Sequence, residues 1–197
     1  MDASGSQKTG HKLKTRMIIV AAPSGAGKSS FVERISHEDR RLFDTITFTT
    51  RTMRAGESEG KPYFFITPED FQKKVDQGFF VEWANVHNNL YGTSLKQLEE
   101  AWSKDLCVIM DVDVQGASTF RRKYPDAVTF FILPPSIDEL RRRIVKRDGK
   151  TPADLEVRMG NAVKELELAG QFDYQIVNDK FDKSYEEFKK IVEKLIS

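Results

Sequence analysis

One stretch, Ala22-Pro23-Ser24-Gly25-Ala26-Gly27-Lys28-Ser29, limits what this chain can fold into more than any other. It follows an apolar run, Met17–Ala21, and leads into a helical pattern over residues 29–35. Strand, glycine-rich loop and helix in that order form a phosphate-binding arrangement. Successive backbone N–H groups must curl around phosphate oxygens, and Gly25 and Gly27 permit the curl. The helix behind the loop aims its positive end at the same phosphates. Lys28 brings a point charge to the β- and γ-phosphates, and Ser29 offers a hydroxyl to Mg²⁺. Ala22 stands where the first glycine of this pattern usually sits. A plain glycine turn with a surface lysine leaves the strand in front and the helix behind unexplained.

The chain has 197 residues, enough for one domain with a real core and inserted lobes. Lys and Arg number 31 against 30 Asp and Glu, a net charge of +1. No global field draws it to nucleic acid or membrane. Cys107 is the single cysteine and lies in an apolar run, which excludes an internal disulfide framework and suits a reducing compartment. Residues 1–16 are polar and basic and read as a flexible tail. The apolar run after them is too short to span a bilayer, so the expectation is a soluble cytoplasmic protein.

Apolar strands alternate with helices along residues 17–197, the pattern of a parallel sheet covered on both faces. The spacing predicts buried strands over residues 17–22, 106–110 and 127–133, the middle one ending on Asp111. Residues 44–50 form a β-rich run of Thr, Ile and Phe. Ser94-Leu95-Lys96-Gln97 reads as a capping box opening a helix. Residues 45–93, with short strands and one clear helix, read as a small mixed lobe inserted into the core. A basic stretch at about 141–160, interrupted by Asp148-Gly149, reads as a mobile lid. The closing helix carries Phe181, Tyr185, Phe188, Ile191, Val192 and Leu195 at helical spacing.

Several motifs then fall in a familiar order. They are the phosphate loop, Thr49-Thr50-Arg51-Thr52-Met53-Arg54-Ala55-Gly56-Glu57, Tyr63-Phe64-Phe65, Glu82-Trp83-Ala84, Tyr91-Gly92-Thr93, Asp111-Val112-Asp113, Leu133-Pro134-Pro135-Ser136 and Ile176-Val177-Asn178-Asp179. With these the chain closely resembles guanylate kinases over nearly all of residues 17–197. The resemblance implies an α/β fold of the P-loop nucleoside monophosphate kinase type, a parallel sheet core with an inserted GMP-binding lobe and a mobile lid. It implies ATP-dependent phosphorylation of GMP and dGMP, with Mg²⁺. Ala22, Pro23, Ser24, Gly25, Ala26, Gly27, Lys28, Ser29 and Ser30 match the ATP loop, and Asn178 matches a residue near the adenine. Arg51, Arg54, Tyr63 and Tyr91 match the holders of the GMP phosphate. Glu82 matches the reader of the guanine edge, with Thr47 and Thr93 helping. Glu57, Asp111 and Asp113 match the rest of the acceptor site, and Asp111 with Ser29 the metal site. Arg147 and Arg158 match lid arginines that approach the ATP phosphates. Thr47 where serine is common, Met53 for proline, Leu90 for tyrosine and Lys146-Arg147-Asp148-Gly149 in the lid depart from the pattern.

The residue chemistry is compatible with that likeness. Phosphoryl transfer is mostly positioning and charge neutralisation, and Lys28, Arg51, Arg54, Arg147 and Arg158 supply cations. Taken alone, Arg51 and Arg54 read as solvated loop charges, and Glu82 as a strand-edge glutamate facing water. Asp113 is either a site residue or the cap of the next helix. Trp83 reads as packing, and at least one of Arg141, Arg142 and Arg143 as a surface charge. A phosphate monoester has a second pKa of about 6, so the acceptor is already anionic and no histidine base is needed. His11, His37 and His87 read as tail, surface and loop. Three rivals carry different expectations: a catalytically inactive guanylate-kinase-like module binding phosphoproteins, a kinase of another small acceptor, and a nucleic-acid binder. The intact Lys28 and Ser29 oppose the first, and balanced charge opposes the last. The oligomeric state is not legible in the sequence.

Overall fold

The computed structural model describes residues 14–54, 56–86 and 88–197. The predicted tail lies outside the described residues as far as residue 13. Its end is built into the domain. Thr15 is buried, and Arg16 donates to the Trp102 carbonyl at 3.0 Å while the Arg16 carbonyl accepts from the Val108 N–H at 2.9 Å. The fold therefore starts before Met17.

Five strands make the main sheet: β1 (Met17–Ala21), β2 (Leu42–Asp44), β7 (Cys107–Val112), β8 (Val128–Leu133) and β9 (Tyr174–Val177). They run in the order β2-β7-β1-β8-β9, all parallel. Alternation along β1 divides the core. Ile18 and Val20 face helices α1 (Lys28–Glu38), α5 (Ile137–Asp148), α6 (Leu155–Glu167) and α7 (Phe181–Leu195). Met17, Ile19 and Ala21 face α3 (Leu95–Ser103) and α4 (Val114–Lys123). Burial on both faces is why these strands are continuous apolar runs. Phe31 ties α1 to α7 through ring contacts of 5.1 Å to Phe181 and 5.4 Å to Phe188. Truncating such a fully buried ring costs roughly 3–5 kcal/mol, so the helix behind the loop is held firmly.

The second sheet is mixed, in the order β4-β3-β6-β5, from β3 (Thr47–Thr49), β4 (Tyr63–Phe65), β5 (Phe80–Val86) and β6 (Asn89–Ser94). Its outer face stacks on helix α2 (Pro68–Asp76), with the Phe71 and Phe80 rings 4.5 Å apart. Trp83 meets Phe71 edge-on there, outside the site.

Two local expectations change. The β-rich run at 44–50 is not one strand: Asp44 ends β2 in the large sheet and Thr47 opens β3 in the small one. The capping box at Ser94 does not form, because the Gln97 side chain accepts from Ile46 N–H at 2.8 Å and donates to Ile46 O at 2.9 Å. Gln97 thereby satisfies the backbone at the corner between the two sheets. His37 is exposed, as expected, and His11 and His87 lie outside the described residues.

Candidate active site

Ligands of open α/β sheets bind beyond the carboxyl ends of the strands, where the strand order reverses. Here β1 lies between β7 and β8, and the loop after it faces the small sheet across a cleft of ≈ 550 Å³. Gly25 and Gly27 take φ of 92° and 98°, a backbone that other residues adopt only with strain. Space forbids side chains as well: a Cβ on Gly27 would lie 2.8 Å from Asn178 Nδ2. Helix α1 starts at Lys28 with no acidic residue in its own first turn to neutralise its positive end. Ser29 Oγ donates to Asp111 Oδ2 at 2.6 Å. This pairing of a hydroxyl with a carboxylate suits a hard cation that keeps most of its waters and takes one or two protein oxygens. Among the described residues no cluster of three or more His, Cys, Asp or Glu forms a protein-only cage.

The small sheet builds the opposite wall by register. Thr47 lies beside Tyr63, Thr49 beside Tyr91, and Glu82 beside Thr93. Strand alternation turns these side chains to one face. A bulge between Phe80 and Glu82 shifts the phase, so that Phe80 stacks on α2 while Glu82 still enters the cleft. Glu82 is only 7% exposed, and no hydrogen bond to its carboxylate forms among the described residues. Burial, then the neighbouring Asp113 charge, pushes its pKa up to about 7, opposed by Lys123.

The arginine loop is organised around Glu57. Its oxygens accept from Arg51 Nη2 at 2.8 and 3.0 Å and from the Arg54 backbone N–H at 2.7 Å. Burial alone would raise the Glu57 carboxyl, but these hydrogen bonds hold it below its ordinary value. Arg51 also lies over the Tyr63 ring at 5.3 Å. Burial and the charges of Arg51 and Arg147 push the Arg54 guanidinium down, as expected where cations converge on a place for an anion. Burial, with the nearby Asp111 charge, raises the Tyr63 hydroxyl and keeps it a donor.

Arg147 and Arg158 reach the cleft from α5 and α6. Arg147 Nε donates to Asp148 at 2.8 Å, while Arg158 donates to Asp148 at 3.2 Å and to Asp154 at 2.9 Å. Arg141 and Arg142 pair with Glu156 and Glu139, away from the cleft.

The cleft thus gathers Ala22, Ser24, Lys28, Ser29, Thr47, Arg51, Arg54, Glu57, Tyr63, Glu82, Tyr91, Thr93, Asp111, Asp113, Arg147 and Arg158. Asp113 caps α4, accepting from Gly116 N–H at 2.7 Å, and also lines the cleft. Pro23, Gly25, Ala26 and Gly27 frame the loop, and Ser30 lies on α1, without lining the cleft. Asn178, expected near the adenine, is 5% exposed and donates to Ala26 O at 2.8 Å, bracing the loop from behind. Two carboxyls escaped the sequence reading. Glu165 on α6 lines the cleft, raised to about 7 by burial against the pull of Lys28. It stands seven residues after Arg158, hence on the same helical face, which is the signal that could have found it. Asp44, at the end of β2, is raised to about 8 by burial and by Asp111.

Comparison with known proteins agrees with this geometry. A family model described as guanylate kinase matches residues 14–195. A guanylate kinase of Bdellovibrio bacteriovorus is 66% identical over 185 residues, 94% of this chain and 100% of that protein. One from Geobacter metallireducens is 42% identical over 176 residues, covering 89% and 87%. The crystal structure of guanylate kinase from Anaplasma phagocytophilum superposes with a TM-score of 0.77 at 28% identity, covering 94% of this chain and 87% of that one. A gluconokinase from Sinorhizobium meliloti, with a TM-score of 0.51 at 16% identity, shares the fold alone.

Proposed function

The chain belongs to the guanylate kinase family and catalyses ATP-dependent phosphorylation of GMP, and on that premise we propose which residues carry each part of the reaction. ATP lies with its β- and γ-phosphates in the loop, held by backbone N–H groups and Lys28. Ser29 and Asp111 would hold Mg²⁺, which would supply charge neutralisation at the triphosphate. GMP enters between the two sheets. Arg51, Arg54, Tyr63 and Tyr91 bind its phosphate, with Glu57 keeping Arg51 in place. An oxygen of that phosphate, already anionic near pH 7, attacks the γ-phosphorus. The bond from the γ-phosphorus to the β–γ bridging oxygen breaks, and ADP leaves with the electron pair. Arg147 and Arg158 swing from their carboxylate partners to the transferring group as a lid at about 141–160 closes. Closure excludes water, which strengthens each charge contact and suppresses hydrolysis of ATP.

Glu82 selects the base, with Thr47, Thr93 and Asp113 around it. A carboxylate only accepts hydrogen bonds, and guanine offers neighbouring N–H donors on its Watson–Crick edge. Adenine offers an acceptor at the corresponding ring nitrogen. A buried polar group left unpaired costs about 1–3 kcal/mol, enough to discriminate. Base and phosphate carry the recognition, so dGMP is accepted too. The carrying observation is that one cleft joins the phosphate loop to a second arginine group and a buried carboxylate that takes no hydrogen bond among the described residues. Intact Lys28 and Ser29 give nothing in favour of the phosphoprotein-binding alternative. The cytoplasm is the proposed site of action: no described helix is long and apolar enough to cross a membrane. Buried Cys107, its thiol pushed up to about 12, is suited to reducing surroundings. An ADP-release assay comparing GMP with AMP tests the base assignment. Turnover with GMP alone is expected; equal turnover of both nucleotides removes Glu82 from its role.

A further inference from the structure

The bulge that aims Glu82 creates a problem that another residue solves. Val81 is the extra residue on β5, outside the paired ladder between Phe80↔Ser94 and Glu82↔Thr93. Its carbonyl lacks the regular partner of a sheet, and Val81 is buried. The Lys123 ammonium, at the last residue of α4, donates to that carbonyl. Lys123 belongs to a helix packed on the large sheet, while Val81 belongs to the small one. The same face of α4 meets Glu82 two turns earlier. Gly116 is seven residues before Lys123, and a Cβ there would stand 2.8 Å from Glu82 Oε2. One helix therefore supports the base-reading carboxylate at both ends, with close backbone at Gly116 and a cation at Lys123. Among the described residues two charged groups act on Glu82, one at each end of this helix: Asp113, its cap, opposes the ionised form and Lys123 favours it. Thr93, its neighbour across the strands, is neutral.

We propose that Lys123 is a specificity-determining positioning residue, which anchors the bulge presenting Glu82 and sets a cation behind its carboxylate. This rests on the reading of Glu82 as the guanine acceptor. Lys123 touches neither nucleotide and acts through Glu82. Removing it frees the Val81 carbonyl and takes away the cation that offsets Asp113, so the acceptor is lost most readily at low pH.

The test uses the full chain and measures GMP binding by calorimetry beside KM for GMP and ATP. Lys123→Met is expected to weaken GMP about ten-fold at about pH 6.5 with ATP KM unchanged. The gap is expected to close to about two-fold at about pH 8.5, where Glu82 ionises without help. Lys123→Arg, which keeps charge and donor, is expected to retain most of the affinity. In a Glu82→Gln background, Lys123→Met is expected to add nothing, since the two act as one unit. The proposal is overturned by unchanged GMP binding in Lys123→Met, by equal losses for GMP and ATP, or by a GMP loss of the same factor at both pH values. Unfolding of Lys123→Met is read from its ATP binding, and in that case Lys123→Gln takes its place. Should Glu82→Gln alone leave the preference for GMP over AMP intact, the reading of Glu82 itself falls, and this inference with it.

Discussion

The two sides of the cleft both hold arginines against carboxylates, yet the pairs differ in kind. On the acceptor side Arg51 and Glu57 are 11% and 16% exposed, and the guanidinium lies over Tyr63 and Phe65. Glu57 also takes the Arg54 N–H, so it shapes the loop itself. On the donor side one carboxylate, Asp148, serves Arg147 on α5 and Arg158 on α6. It stands on the last residue of α5, before Gly149 at φ 68°, where the negative end of the helix disfavours an anion. The first pair fixes an arginine on a sheet in the geometry a phosphate needs. The second holds two helix-borne arginines on an internal anion, from which they must turn to reach a phosphate. The same ion pair thus prepares a site in one region and competes for it in the other.

The sharpest way to break that contrast is to remove Arg51. Arg51→Ala is expected to raise KM for GMP about 100-fold, because a charge-assisted fork is lost and Glu57 is left partly buried without its partner. KM for ATP is expected to stay within about two-fold. Arg51→Lys is not expected to restore binding, since an ammonium cannot make two parallel hydrogen bonds. An equal effect on both substrates in steady-state kinetics would show that Arg51 serves the fold and not the acceptor.

Next in size is Glu57→Gln. If Glu57 prepares Arg51, the amide is expected to lower kcat/KM for GMP about ten-fold. Improved GMP binding, read by calorimetry, would instead make Glu57 a competitor like Asp148 and remove the contrast.

A pH effect of similar size separates the two sides again. Glu82 ionises at about 7 in the fold against an ordinary 4.5. It accepts from guanine only when ionised, so kcat/KM for GMP is expected to rise about ten-fold from about pH 6 to 8. Glu82→Gln is expected to abolish that rise. The stability of the unliganded protein runs the other way. A carboxyl raised in the fold stabilises fully below its unfolded value, and that contribution is lost as pH climbs through about 7. Glu165 adds to the same trend. Glu57 and Asp148 are held low, so their contributions are already complete above the ordinary carboxylate range and stay flat over this window. Thermal melts of the unliganded protein at about pH 5.5 and 8, with Glu82→Gln as control, check the sign.

How much of this was legible in the sequence follows the distance over which each feature is encoded. The phosphate loop was legible because strand, glycines, Lys28 and Ser29 are contiguous. Three strands of the large sheet, β1, β7 and β8, were legible because burial on both faces leaves unbroken apolar runs such as residues 107–110. The corner at Thr45 and Ile46 was not, since β-formers continue across it and only the distant Gln97 reveals the turn. Glu82 looked like a surface glutamate because the bulge at Val81 breaks simple alternation, and family likeness alone singled it out. The bracing contact of Asn178 was hidden for a related reason: its partner Ala26 is 152 positions away in the chain. Lys123 carries no local signal of its partner, which lies on another element, and Glu165 is signalled only by its spacing from Arg158 on the same helix.

The smallest effect is the most telling about the lid. Asp148→Asn removes the charge while nearly keeping the shape, and it leaves Asp154 to hold Arg158. If Asp148 competes with phosphate, Arg147 and Arg158 need less free energy to leave it, and KM for ATP is expected to fall about two-fold. The size is modest because such a pair, with Arg147 38% exposed, contributes about 1 kcal/mol or less after screening. Salt adds a second test of the mechanism. Added salt weakens the Arg147–Asp148 pair and the arginine–phosphate contacts together, so the two-fold advantage of Asp148→Asn is expected to shrink as ionic strength rises. A higher KM for ATP in Asp148→Asn would mean that Asp148 positions the lid arginines as Glu57 positions Arg51, and the two sides of the cleft would then follow one design.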